Sequence, residues 1–376
     1  MHSNDRNSAV TIFNAAINAV AGYNATYRAV NSFADFTPDQ IIAVGKAASG
    51  MCAGALAALG NDCPALLVTK YAHTDQAMWD ANNVTVIESA HPVPDQNSLN
   101  AGKQMLATVN SMEAGSKLLL LVSGGASALS EALPADVSLE DWQKLTNQML
   151  AAGYNIDQIN TRRKETSLIK DGKLLENFTG TDVRVLAISD VEGDDISVIG
   201  SGTGSIKRCP STASVTLIGT NQVAREAAAN KATELGYHVI DNKENLYDDV
   251  EVLSSYIGQQ LINAEPGVYI FGGEPTVKLP ENPGNGGRNQ ALALGIAENI
   301  VGRDNILVLV AGTDGSDGPT DAAGGIVDGS TAKDLHAVRD ALKRADAGTY
   351  LREQDAIFIT GPTNTNVMDI VVAILH

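Results

Sequence analysis

Near the start of the chain, Val10, Ile12, Phe13, Ala16, Ile17 and Val20 fall at helical spacing and predict an amphipathic helix from Ser8 to about Val30. The rhythm then changes. Short, mostly apolar runs follow one another at Ile41–Val44, Ala65–Thr69, Val84–Ile87, Leu118–Val122 and Val183–Ile188, and turn residues follow each. Runs that lack alternating polarity are strands buried on both faces, as in a parallel sheet. The stretches between them read as helices, one of which opens at Ser138 with Glu140 and Asp141 where the helix dipole favours acids. The pattern predicts a doubly wound, Rossmann-like α/β domain with a mainly parallel sheet. Around Arg208–Ser214 the chain turns polar and carries a proline, which predicts a linker. Beyond it, Val215–Gly219, Gly267–Phe271, Ile306–Val310 and Ala356–Thr360 read as strands and Gln222–Leu235 as a helix. The expected division is residues 1–211 and 212–376, the second a smaller α/β domain.

Composition narrows the function. Among 376 residues, 44% are apolar and 19% charged, which excludes disorder, collagen and coiled coil. Lys and Arg number 26 against 44 Asp and Glu, so the formal charge is 26 − 44 = −18 and phosphate-rich partners such as nucleic acid or an anionic membrane are repelled. Cys52, Cys63 and Cys209 are odd in number and lack metal-ligand spacing. No apolar run reaches the roughly 18 residues of a membrane span, and no signal core follows the first residues, so a cytoplasmic protein is expected.

In so acidic a chain, a cation inside a glycine-rich turn stands out. Turns between a strand and a helix leave backbone N–H groups unpaired and can hold an anion. Two such turns are Gly45-Lys46-Ala47-Ala48-Ser49-Gly50 and Ser123-Gly124-Gly125-Ala126-Ser127, and neither is a Walker A loop or a GxGxxG fingerprint. Asp190 ends the strand Val183–Ile188, where open α/β sheets place their ligands, and can hold Mg²⁺ or act as a base. Gly272-Gly273-Glu274 ends another strand, and Arg288 begins an apolar helix. The helix dipole opposes an Arg there, which suggests either an anionic ligand or an ion pair with an acid such as Glu274. Asp314 lies in an acidic turn, Thr313–Asp321, without EF-hand spacing. His91 and His73 read as structural or surface residues.

Together these segments resemble the glycerate 2-kinase family, whose members have also been labelled hydroxypyruvate reductases. The resemblance rests on Val44–Ala48, His91-Pro92-Val93-Pro94-Asp95, Val122–Ser127, Asn155-Ile156 through Lys164, Ile188–Val191 with Gly193-Asp194-Asp195, Gly272-Gly273-Glu274, Gly286–Gln290, Gly312–Gly315, and Gly361-Pro362-Thr363 with Thr365-Asn366-Val367, and so covers nearly the whole chain in order. It implies transfer of the ATP γ-phosphoryl group to the 2-hydroxyl of D-glycerate with Mg²⁺, in a cleft between two α/β domains. Lys46, Asp190 and Arg288 would be catalytic. Ser123, Gly124, Gly125, Ala126, Ser127, Gly273, Glu274 and Asn289 would bind the nucleotide, and Asp190 and Asp314 the metal. A homodimer is left open. Glu165, Ala291 and Ser201-Gly202-Thr203-Gly204 depart from the family pattern. Two rivals remain: an NAD(P)H-dependent hydroxypyruvate reductase, which needs a dinucleotide fingerprint the first turn lacks, and a non-catalytic sugar-acid or nucleotide sensor.

Overall fold

A computed structural model describes residues 2–60, 62–79, 83–151 and 156–376; Asn155, quoted for the resemblance, lies outside them. The expected opening helix is two helices, α1 (His2–Val20) and α2 (Gly22–Asn31), because Ala21 takes an extended ψ of 130°. They enter different units. One unit comprises Ala21–Thr220 with Asn364–Asn366; the other comprises α1, Asn221–Thr363 and Val367–His376.

The first unit holds a six-stranded sheet of β1 (Gln40–Val44), β2 (Ala65–Lys70), β3 (Val84–Ser89), β4 (Lys117–Val122), β5 (Asp182–Ile188) and β6 (Thr212–Gly219). All pairs are parallel, in the order β3-β2-β1-β4-β5-β6, the doubly wound arrangement expected. Its helices include α3 (Ala48–Leu59), α4 (Gln96–Ser111), α5 (Ala126–Leu129), α6 (Leu139–Ala151) and α7 (Ile156–Thr166). The apolar runs that announced the strands form its core, with Ile42, Val44, Leu118, Leu120, Val122 and Val185 all buried.

The second unit holds β7 (Val239–Glu244), β8 (Gly267–Gly273), β9 (Ile306–Gly312), β10 (Gly324–Asp328), β11 (Ile357–Phe358) and β12 (Asp369–Leu375). The order is β11-β10-β9-β12-β8-β7, and only β7 and β8 pair in parallel. With it go α8 (Asn221–Glu234), α9 (Val250–Ile262), α10 (Arg288–Asn299), α11 (Leu335–Lys343) and α12 (Ala347–Glu353). The sequence reading missed β7, β10 and β12. β12 lies centrally between β8 and β9 and is buried along its whole length.

The expected boundary between residues 211 and 212 is corrected in three places. The apolar stripe of α1 buries against its own unit, where Phe13 meets Phe358 edge-on at 5.5 Å, so the first helix does not belong with the first sheet. Arg208–Ser214 is no linker: Arg208 and Lys207 are tied to Asp171, and β6 begins at Thr212 and pairs with β5. Residues 364–366 return to the first unit. Among the described residues, no helix is long and apolar enough to cross a membrane.

The close packing of the first unit makes one substitution informative. Gly102 lies inside α4, where Ala would normally stabilise by about 1 kcal/mol. A Cβ there would stand 2.1 Å from the carbonyl oxygen of Glu131, which is backbone and cannot swing away. Gly102→Ala is therefore expected to destabilise by about 2 kcal/mol or more, seen as a lower urea midpoint; an unchanged or higher midpoint contradicts this packing.

Candidate active site

Strand order reverses between β1 and β4, and ligands of open α/β sheets bind beyond the carboxyl ends of the strands at such a point. The turns that leave these two strands are joined to each other. Ser123 N–H donates to Val44 O (3.0 Å), Lys46 N–H to Gly124 O (2.9 Å), and Ala47 N–H to Ser123 Oγ (3.1 Å). Gly45 permits the approach. Its φ is +131°, and a Cβ would stand 2.1 Å from Ser123 Oγ.

Three side chains surround the Gly124-Gly125 turn. A Cβ on Gly124 would stand 1.9 Å from Asp190 Oδ2, so the carboxylate at the end of β5 rests directly on this glycine. A Cβ on Gly125 would stand 3.1 Å from Lys46 Cγ and 3.3 Å from His91 Cδ2. Asn366 donates to Asp190 Oδ2 at 3.3 Å. Among the described residues, the N–H groups of Gly124 and Gly125 have no protein acceptor, and Lys46 Nζ makes no hydrogen bond or ion pair. The helix that follows, α5, has only four residues. The expected contribution of a helix dipole is therefore small, and the turn's own amides carry its affinity for anions.

The electrostatics agree. Burial pushes the His91 pKa down to about 4, and the charges of Lys46, then Lys70 and Arg163, push the same way. The ring is neutral at pH 7. Lys46 and the Asp190 carboxylate thus border the same glycine turn in a chain of net charge −18.

The second unit has its own charged cluster. Arg288 opens α10 and is paired three ways, Nε to Asp369 Oδ2 (2.6 Å), Nη2 to Asp369 Oδ1 (3.3 Å) and Nη1 to Glu274 Oε1 (2.9 Å). Burial works against the guanidinium charge, but Asp369 and then Glu274 outweigh it and raise the pKa. Asp317 caps the helix from a loop, accepting from Asn289 N–H (3.0 Å) and Gln290 N–H (2.8 Å). Burial raises the Asp317 pKa to about 6 against these hydrogen bonds, so it is ionised at neutral pH.

The chain matches two protein families in succession, one described as a domain of unknown function (DUF4147) over residues 8–233 and the MOFRL family over residues 267–369. A relative from Thermotoga maritima named D-glycerate 2-kinase is 36% identical over 379 residues, which cover 89% of this chain and 90% of the relative. The chain belongs to the glycerate 2-kinase family. A crystal structure of glycerate kinase from the same organism matches all of both chains with a TM-score of 0.90 at 33% identity. One member of the family, from Agrobacterium vitis, carries a provisional hydroxypyruvate reductase name at 30% identity over 88% of this chain and 97% of its own.

The glycerate 2-kinase residues expected from sequence thus fall into two groups. Lys46, Asp190 and the Ser123–Ser127 turn are together in the first unit. In the second, Arg288, Glu274 and Asn289 gather around Asp369. The ion pair of Arg288 with Glu274, one of the two readings of an Arg at a helix start, is present, and the acids that the dipole calls for come from Asp317 and Asp369. Asn289 is buried, with its side-chain NH2 donating to Asp369 and Asp317 while its Oδ1 is buried without a hydrogen bond. Gly273 has a packing reason, since a Cβ would stand 2.9 Å from Leu246 N. Asp314 caps its own turn through Ser316. Among the described residues, no group of three or more His, Cys, Asp or Glu side chains could hold a metal. His91, Arg163, Asn366 and Asp369 were missed. His91, Arg163 and Asn366 each lay in a segment quoted for the resemblance without being given a role in the site, and Asp369 lay in none.

A depressed histidine pKa yields a signed prediction. Stability from a neutral His91 is fully present above its ordinary pKa of 6.5 and is lost as pH falls through about 4. Between pH 7 and pH 4, wild type should lose roughly 2 kcal/mol more unfolding free energy than His91→Asn. Parallel curves from denaturant titrations at several pH values would refute it.

Proposed function

We propose that the protein transfers the γ-phosphoryl group of ATP to the 2-hydroxyl of D-glycerate, as the names of its relatives suggest. The observation that carries this reading is the set around Gly124 and Gly125: among the described residues, two amides without a protein acceptor, an ammonium without a partner and a carboxylate, all at one switch point. Phosphoryl transfer asks the protein mainly to align donor and acceptor and to offset spreading charge, and this set supplies both.

In this reading the Gly124 and Gly125 amides cradle phosphate oxygens. Lys46 neutralises the charge that develops on the migrating group. Asp190 faces the acceptor hydroxyl or holds Mg²⁺, which when bound offsets negative charge on the phosphates. A single carboxylate suffices, because Mg²⁺ keeps several waters and takes its other ligands from phosphate. Asp314, already accepting from Ser316, is the weaker of the two candidates for the metal. Arg288 grips the carboxylate of the hydroxy acid, with Asp369 fixing one edge of its guanidinium through Nε and Nη2. ATP, Mg²⁺ and a small hydroxy acid are the only ligands this function needs.

A dinucleotide-dependent reductase shares the sheet order, but the residues differ. Its fingerprint would bring backbone up to a pyrophosphate at Gly45-Lys46, where a lysine stands and Ser123 already fills the space beside Gly45. β2 ends in Lys70 where an acid would be needed for the ribose.

Purified protein with Mg-ATP and D-glycerate should release ADP in a coupled assay, and hydroxypyruvate with NADH should give no oxidation; the reverse pattern would overturn the kinase reading. Lys46→Ala and Arg288→Ala should each lower kcat by at least about 100-fold. Gly124→Ala should lower it about tenfold or more by displacing Asp190, with the fold retained by circular dichroism. Near-full turnover in both cation variants would sink the assigned roles.

A further inference from the structure

Behind the glycine turn lies a buried charged group that the reaction as described does not use. Lys170 and Glu131 are both fully buried. Lys170 Nζ donates to Ser130 O at 2.6 Å and reaches Ala126 O and Thr203 Oγ1 at 3.4 Å. It thereby holds the carbonyls of the short helix that follows the turn. Glu131 Oε1 accepts from Ala132 N–H (2.9 Å) and from Ser167 Oγ, while Oε2 is buried without a hydrogen bond.

Arg163, in the last turn of α7, reaches the turn itself, donating from Nη1 to Ser127 Oγ at 3.2 Å. A guanidinium has five N–H donors. Arg225 spends its own on Asn221, Asn242 and Glu244, and Arg288 on Asp369 and Glu274. Arg163 is also partly buried, yet among the described residues it meets one hydroxyl and no carboxylate within ion-pair distance. Even with Glu131 ionised, Lys170 and Arg163 leave one positive charge in excess beneath the turn. Arg163 reaches this turn at Ser127 and Lys46 lies against it at Gly125, so both cations border the same five-residue turn. An interior guanidinium with spare donors beside unpaired amides is suited to an oxyanion.

We propose that Arg163 is a further anion-contacting residue of the Ser123–Ser127 turn, taking an oxygen of a phosphoryl or carboxylate group, and that Glu131 and Lys170 are positioning residues behind it. This rests on the kinase reading only for which substrate supplies the oxyanion. Arg163→Gln and Arg163→Lys are compared with wild type in the full-length chain. Arg163→Gln should raise KM at least tenfold for one substrate, ATP if the group is phosphoryl and D-glycerate if it is carboxylate, with Arg163→Lys intermediate. Calorimetry with inorganic pyrophosphate gives a second readout that needs no turnover, and tenfold weaker binding by Arg163→Gln supports the phosphoryl source. If wild type binds pyrophosphate but turns over no glycerate, the kinase reading fails and this proposal stands. For Glu131, a double-mutant cycle separates positioning from bulk stability. Glu131→Gln should change KM in wild type and not in Arg163→Gln, whereas a merely structural role lowers stability in both backgrounds and leaves KM alone. Folded Arg163→Gln or Arg163→Lys protein with pyrophosphate affinity and both KM values within twofold of wild type overturns the proposal.

Discussion

The first unit's site depends on one close approach, the backbone of Gly45 against Ser123. Because position 45 has no Cβ and takes a φ of +131°, the turn after β1 can lie on the turn after β4 and exchange hydrogen bonds with it. Lys46 N–H and Ala47 N–H are satisfied by Gly124 O and Ser123 Oγ, so they are not the groups left for a ligand. Those left are the amides of Gly124 and Gly125. Asp190 then settles on Gly124 because that residue, too, lacks a side chain. Two glycines on neighbouring strands thus convert a sheet edge into a concavity with donors, a cation and a carboxylate at fixed places. Fixed donors are the form in which electrostatic stabilisation costs no reorganisation during reaction.

The two cationic sites solve the cost of a partly buried charge differently. Arg288 is neutralised within the protein by Asp369 and Glu274, and its pKa is raised accordingly. Among the described residues, Lys46 and Arg163 make no ion pair, although Glu131 acts on Arg163 from a longer distance, and His91 is held neutral by burial and then by their charge. Cations held without a direct ion pair gain more from a bound anion than a cation already paired inside the protein. In the proposed reading, Lys46 and Arg163 meet the anion directly, whereas Arg288 meets it beside its internal partners Asp369 and Glu274.

Much of the first unit was legible in sequence, since its strands are continuous apolar runs ending in glycine turns and the alternation with helices admits few topologies. The positions of Lys46, the Ser123–Ser127 turn and Asp190 followed, because switch-point geometry places strand ends together. The second unit was less legible. β12 is an apolar run, and a strand that pairs antiparallel between two distant partners carries no local sign of where it goes. The division failed at α1 for a related reason, as a periodic stripe reports that a helix is buried and not against what. Arg163 lay in a segment quoted for the resemblance, but its role could not be read. It adjoins Arg162, which is exposed and paired with Glu165, and two identical neighbours about 100° apart on a helix differ only in what each faces.

Sheet order alone does not decide the chemistry. The order β3-β2-β1-β4-β5-β6 is that of dinucleotide-binding domains, and a reductase and a kinase could both be built on it. The difference lies in three local substitutions. Where a pyrophosphate would approach bare backbone, this chain puts Lys46 and closes the space beside Gly45 with Ser123. Where a carboxylate would take a ribose hydroxyl, it puts Lys70. The glycine-rich turn stands instead after β4, followed by a helix too short to contribute a dipole of any size. In the proposed reading, these changes place the anion on the turn after β4, beside Lys46. A hydride acceptor would gain little from that arrangement, whereas a phosphoryl group carrying its charge between two oxygens would be stabilised all along its path.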